Sequence, residues 1–291
     1  MTSTTMTSTT MNSTTTALRA GLTRGLIELR QSFSGSDLLA QLFWPVVTLV
    51  AVFFLRNMRF RHSGFRLGTL ILPSVLGMFV AFGMLLVIQY LTAEREDGTL
   101  LRAKATPHGI RAYFIGKLVT TSGTILAYLA ILLIPGLFIV DGIELGTIGS
   151  WLTLAWVLVL GLMATQSIGA VLGSLISSPR GAGVASLPVM ALISISGIFY
   201  PISAMPDWLR WIAEIFPVYW LGLGMRSALL PDDMAGVELG HSWRHLETLG
   251  VLGAWAVIGL ALAPIVLRRM ARRESGSRLA AYREKALQRV G

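Results

Sequence analysis

The chain has 291 residues, of which 54% are apolar and only 13% charged, with a net charge of +9 and no cysteine. A chain this apolar is not disordered over its length, and the charged fraction is about half that of a soluble domain. The missing cysteines exclude a disulfide scaffold, a thiolate metal site and a cysteine nucleophile.

Residues 1–15 read MTSTT MTSTT MNSTT, one pentapeptide written three times. Such a repeat cannot bury enough surface to offset chain entropy, so disorder is expected over 1–16. It lacks the apolar core of a secretory signal. From 17 to 33, Leu18, Leu22, Leu26 and Leu29 recur at helical spacing, with Arg19, Arg24, Glu28 and Arg30 off that stripe. This pattern predicts an amphipathic helix lying in the membrane interface.

Six apolar runs follow, at 38–55, 67–92, 117–140, 151–176, 182–200 and 248–267, none with an ionisable side chain in its middle. A helix needs about 20 apolar residues to cross about 30 Å of hydrocarbon. The expected fold is therefore all-α, with six transmembrane helices. Gly161, Gly169 and Gly173 in the fourth run are expected at close helix crossings. Met78, Phe79, Phe82, Met84 and Met190 are candidates for an apolar pathway, although core packing explains them equally well.

The loop charges set the expected orientation. With the N-terminus inside, the outer loops 56–66, 141–150 and 201–247 hold seven of the 24 Lys and Arg and eight acidic residues. The remaining basic residues fall largely inside, eight of them in 268–291. Both termini are thus expected in the cytoplasm. Arg56, Arg59, Arg61 and Arg66 run against this trend. The basic tail, 268–291, suits anionic lipid of the inner leaflet. It offers only Tyr282 for stacking on bases, so no nucleic-acid partner is expected.

Two segments carry mechanistic information. After the second run comes Glu94-Arg95-Glu96-Asp97-Gly98-Thr99-Leu100, then Ala105-Thr106-Pro107, and Gly116-Lys117 opens the third run. Asp97-Gly98 is a turn signal and Pro107 a helix stop. The result is a compact charged hairpin between two membrane helices, which can act as a solvated connector or pass on the motion of a docked partner. The other segment, 197–230, has Met205, Trp208, Leu209, Ile212 and Phe216 on one helical face, and Pro217 separates it from a second short apolar stretch. Both stretches are too short to span, so a re-entrant helical hairpin with aromatic anchors is expected.

Taken together, EREDGTL, the following Thr106-Pro107 and Gly116-Lys117, and GIFYPISAMPDWLRWIAEIFPVYWLGLGMRSALL at 197–230 resemble the ABC type-2 transporter permease family over 17–267. The resemblance implies a permease that pairs with a second copy or a paralogue in the bilayer. Two separate ABC ATPase subunits would bind from the cytoplasm and hold ATP and Mg, with no cofactor on this chain. It assigns ATPase coupling to Glu94, Arg95, Glu96, Asp97, Gly98, Thr99 and Leu100. It assigns the outer gate to Phe199, Pro201, Pro206, Trp208 and Pro217, and leaves Met78, Phe79, Phe82 and Met190 as pathway candidates. The acidic residue common after Gly-Thr-Leu is replaced here by Leu101-Arg102.

No G-x-x-x-x-G-K-[ST] loop occurs, so the chain has no phosphate cradle of its own. His241 and His245 stand four apart without a zincin glutamate, so no metal site is expected. The function expected is export of an amphipathic drug, antibiotic or lipid across the cytoplasmic membrane, as in multidrug efflux and antibiotic resistance. A membrane-embedded lipid-modifying enzyme and a non-transporting regulatory subunit remain as alternatives.

Overall fold

The computed structural model describes residues 4–35, 37–58, 67–176, 179–200, 202 and 205–273. The described chain is 85% helix with no strand. Pro201, Arg59, Arg61, Arg66 and the tail beyond Arg273 lie outside the described residues.

Among the described residues, five helices are long and apolar enough to cross a membrane. They are α2 (Asp37–Leu55), the continuous pair α3 (Leu67–Ala81) and α4 (Gly83–Glu96), α6 (Gly109–Ile139), α7 (Ile148–Leu175) and α11 (His245–Arg273). Phe82 does not break the α3–α4 rod. Its φ and ψ stay helical, its N–H donates to the Met78 carbonyl at 2.9 Å, and the Leu86 N–H donates to its own carbonyl at 3.0 Å. The expected crossings by Gly161, Gly169 and Gly173 of α7 are present. A Cβ on them would meet Leu221, the Met84 backbone and the Ile88 Cα at 2.5, 2.5 and 3.2 Å.

The fifth expected span is shorter than the 182–200 run. The helix there, α8 (Pro179–Ile195), has 17 residues, or about 25 Å against about 30 Å of hydrocarbon. Gly197, at φ +67°, ends it in the left-handed conformation that favours glycine.

The N-terminal helix also differs from expectation. α1 (Thr4–Ser32) begins inside the Thr/Ser repeat. Its second half packs along α6, and extending a helix that already exists avoids the cost of nucleation. Gly21 and Gly25 form the seam. A Cβ on Gly21 would lie 2.8 Å from the Ala112 carbonyl, and one on Gly25 would lie 2.7 Å from that of Gly116. This is the small-xxx-small packing of membrane helices. Leu18, Leu22 and Leu26 are left on the exposed side.

The hairpin expected at 197–230 becomes two unlike helices. α9 (Asp207–Ile215) lies on the surface, with Trp208, Trp211, Ile212 and Ile215 exposed and only Ala213 buried. α10 (Pro217–Leu229) is a core helix, enclosed by α3, α7 and α11. Glycines allow that closeness: a Cβ on Gly222 or Gly224 would lie 2.8 Å from Ile198 or Val157. Only α9 therefore presents an apolar face outward. Two 3₁₀ turns, Asp232–Val237 and Leu239–His241, lead to α11.

Candidate functional site

The hairpin between α4 and α6 is tied to α1 by a buried charge cluster. Lys117, on the first turns of α6, is 5% exposed at its side chain. Its ammonium pairs with Glu94 of α4 and lies 2.7 Å from Glu28 Oε2 of α1. Arg24, one turn before Glu28, lies 2.7 Å from Glu28 Oε1 and 3.8 Å from Glu94 Oε2. The Arg24 guanidinium stands 5.0 Å from the Tyr113 ring centroid, and the Lys117 ammonium 4.8 Å from that of Tyr90. Two cations thus face two carboxylates, with aromatic faces completing their surroundings. Burial pushes the Glu28 carboxyl up, but hydrogen bonds from Lys117 and Arg24 outweigh it and hold the group below its ordinary value of about 4.5.

The seven residues expected to couple to an ATPase divide between inward and outward roles. Glu94 is taken by Lys117. Arg95 is buried and caps the end of α7, donating from Nη1 to the Ile176 carbonyl and from Nη2 to that of Ser174 at 3.1 Å. A guanidinium there also meets the negative end of the helix dipole. Gly98 sits at φ +79° and opens α5 (Thr99–Lys104). Leu100 is fully buried with Phe114, Leu267 and Met270. Glu96 and Thr99 are half-buried and Asp97 is exposed. Asp97 Oδ1 accepts the Thr99 N–H at 2.8 Å, which stiffens the turn.

A tight turn closes the hairpin. His108 adopts φ +57°, and a Cβ on Gly109 would lie 2.0 Å from the Ala103 carbonyl, so only glycine fits. Thr106, Pro107 and His108 are exposed at its tip.

The four pathway candidates lie together. Met78, Phe79, Phe82 and Met190 line one cleft of about 490 Å³, with Trp44, Thr48, Gln89 and Tyr128 among its other walls. Its lining carries no charged side chain. The Phe79 ring meets those of Phe82 and Tyr128 edge-on, each at 5.8 Å. Tyr128 is also bonded to Gln41, which ties α2 to α6 beside the cleft. Met84 lies away from this cleft, in a second apolar groove of about 510 Å³ between α4, α7, α8 and α11.

Of the gate candidates, Phe199, Pro206 and Trp208 are exposed and Pro217 is buried as the first residue of α10. Sequence reasoning missed the charged pairs behind them. Arg226 of α10 and Glu238 are fully enclosed, with Nε 2.7 Å from Oε1. Arg226 Nη1 also donates to the Ile198 carbonyl at 3.1 Å, fixing the turn after α8. Arg244 lies 2.6 Å from Glu214 of α9 and 4.5 Å from the Trp220 ring centroid. An arginine inside an apolar stretch was the one available signal, since a buried charge needs a partner.

A family model described as ABC-2 family transporter protein matches residues 5–265 of the chain. No curated protein shows a matching sequence.

Proposed function

The chain belongs to the ABC-2 transporter family, and from that premise we propose that it is the permease subunit of an ATP-driven exporter. Membership and five long apolar helices make it a multi-pass membrane protein. In the proposed reading α8, with the residues that follow it, completes a sixth crossing of the cytoplasmic membrane. Both termini lie inside, α9 and α10 form the outer gate, and two permease chains share the pathway. Two separate ATPase subunits hold ATP and Mg and drive the cycle.

The observation that carries this reading is the cluster of Lys117, Glu94, Glu28 and Arg24. It joins the hairpin to α1, α4 and α6 in one polar block, so a push on the hairpin moves three helices together. Packed, ion-paired elements move as rigid bodies rather than bending. The uncharged, aromatic cleft supports an amphipathic drug, or a lipid, as cargo. A sugar chain would need more hydrogen-bonding groups than Thr48, Gln89 and Tyr128 provide.

The test is purification of the tagged chain from its native membranes in mild detergent. A stoichiometric P-loop subunit, whose ATP hydrolysis rises with added lipophilic drug, is the expected result. A preparation that holds no ATPase even after gentle crosslinking overturns the reading.

A further inference from the structure

Beyond the Gly98 turn the outward side of the hairpin is basic. Leu100 and Ala103 turn inward against Leu267, Met270 and Ala271 of α11. Arg102, Lys104 and Arg111 are left on exposed surface, around the Thr106–Pro107–His108 tip. Arg102 Nη2 donates to Thr99 Oγ1 at 2.7 Å, which holds that guanidinium along α5. The same packing brings the end of α11 beside α5, where Arg268, Arg269 and Arg272 are exposed. No Asp or Glu occurs from Gly98 to Val140, or from Thr248 to Arg273. Among the described residues, Glu96 and Asp97 stand just before the Gly98 turn, and Glu94 is held by Lys117.

We propose that the ATPase subunit receives this hairpin on a carboxylate-lined surface, and that attraction to Arg102 and Arg111 holds the two chains together. The inference rests on the reading that a separate ATPase docks here. It adds the chemistry of the docking face: the acidic partner lies on the ATPase, whereas Glu94 of the EREDG stretch serves inside the permease. Anionic lipid is the other acidic surface within reach. It is disfavoured because the apolar runs stop at residue 92 and resume at 117, and the hairpin is the chain between them. Binding of this kind is screened by salt, and charge reversal acts chiefly on the association rate.

The experiment measures affinity for the copurifying ATPase with the permease in phosphatidylcholine nanodiscs, from about 50 to 500 mM salt. Wild type should bind and weaken steadily as salt rises. Arg102→Glu with Arg111→Glu should bind about tenfold more weakly at low salt, and the corresponding double alanine variant less so. Both positions are exposed, and unchanged melting temperatures show that the variants are folded. Equal affinity for wild type and the charge-reversed variant, or affinity indifferent to salt, overturns the inference and leaves the docking reading standing. A loss seen only in discs containing phosphatidylglycerol assigns the basic face to lipid and also overturns it. Wild type that binds no ATPase at any salt defeats the docking reading itself.

Discussion

Lys117 forms an ion pair with Glu94, so the two ends of the EREDG…GK stretch close on each other across the α4–α6 gap. The same ammonium holds Glu28 at 2.7 Å. One side chain therefore fixes the positions of three helices. Replacing it leaves two carboxylates facing each other with Arg24 as the remaining cation. Lys117→Met should destabilise the protein by about 3 kcal/mol, the cost of stranding a buried charge. Adding Glu94→Gln should return part of that loss. Thermal unfolding of the three variants in one detergent measures both effects. Equal stability of wild type and Lys117→Met would show that the cluster carries no structural weight.

Glu94 and Glu96 stand two residues apart but face different surroundings, so their effects should separate. Glu94→Ala removes a partner of a buried ammonium and should lower the melting temperature. Glu96 is half-buried, and Glu96→Ala should leave melting within about 0.5 kcal/mol of wild type. If the hairpin couples to an ATPase, Glu96→Ala should still reduce substrate-stimulated hydrolysis. The double variant should show both losses. Full ATPase association and full stimulation in the double variant would remove coupling from this segment.

The Glu28 carboxyl sits below its ordinary value, so its contribution to stability has a defined sign with pH. A depressed folded value means that the contribution is present above the unfolded value, about 4.3, and is lost as pH falls through the folded one. The difference in melting temperature between wild type and Glu28→Gln should be constant from pH 7 to about pH 5. It should shrink below about pH 4 as both chains become neutral at this position. A difference that grows on acidification would mean that burial, rather than Lys117 and Arg24, dominates the site.

Much of this architecture is legible in the sequence, and the rest is not for a physical reason. Long uncharged runs mark membrane helices because length and hydropathy are local properties. The runs at 38–55 and 151–176 match α2 and α7 closely. The run 182–200 is longer than its helix because its apolar residues continue past Gly197, where a backbone φ of +67° ends the helix. Pairings are non-local. Nothing near Lys117 says that its partners lie 89 residues back on α1 and on α4. The Gly21-x-x-x-Gly25 spacing is local, but that it packs on α6 is set by residues about 90 positions away. The segment 218–230 reads by length as one arm of a re-entrant hairpin, whereas its glycines let it pack into the protein.

The cleft gives a prediction that does not depend on folding. Met190 is 41% exposed at the mouth of a 490 Å³ space, so a larger side chain there fills the cleft without crushing a core. Met190→Trp should keep the melting temperature and the ATPase association of wild type. It should remove most of the stimulation of hydrolysis by a lipophilic drug. Phe79→Ala should also weaken stimulation but lower stability by about 3 kcal/mol, because Phe79 is buried against Phe82 and Tyr128. Stimulation unchanged in both variants would place the cargo outside this cleft.

At the opposite end, Arg226 carries a buried charge inside α10 and is held by Glu238 and the Ile198 carbonyl. Arg226→Met removes one partner and strands a carboxylate that is itself enclosed. The cost should be about 3–5 kcal/mol. Arg226→Met with Glu238→Gln should recover much of it, because the pair earns little net energy against neutral groups of similar size. The pair also fixes the turn that begins at Gly197, so the two variants separate stability from gating. If the double variant regains melting temperature but hydrolyses ATP without moving drug, the ion pair holds the outer gate. If it regains both, Arg226 serves the fold alone, and the gate must be sought in the exposed face of α9, where Trp208 and Trp211 lie.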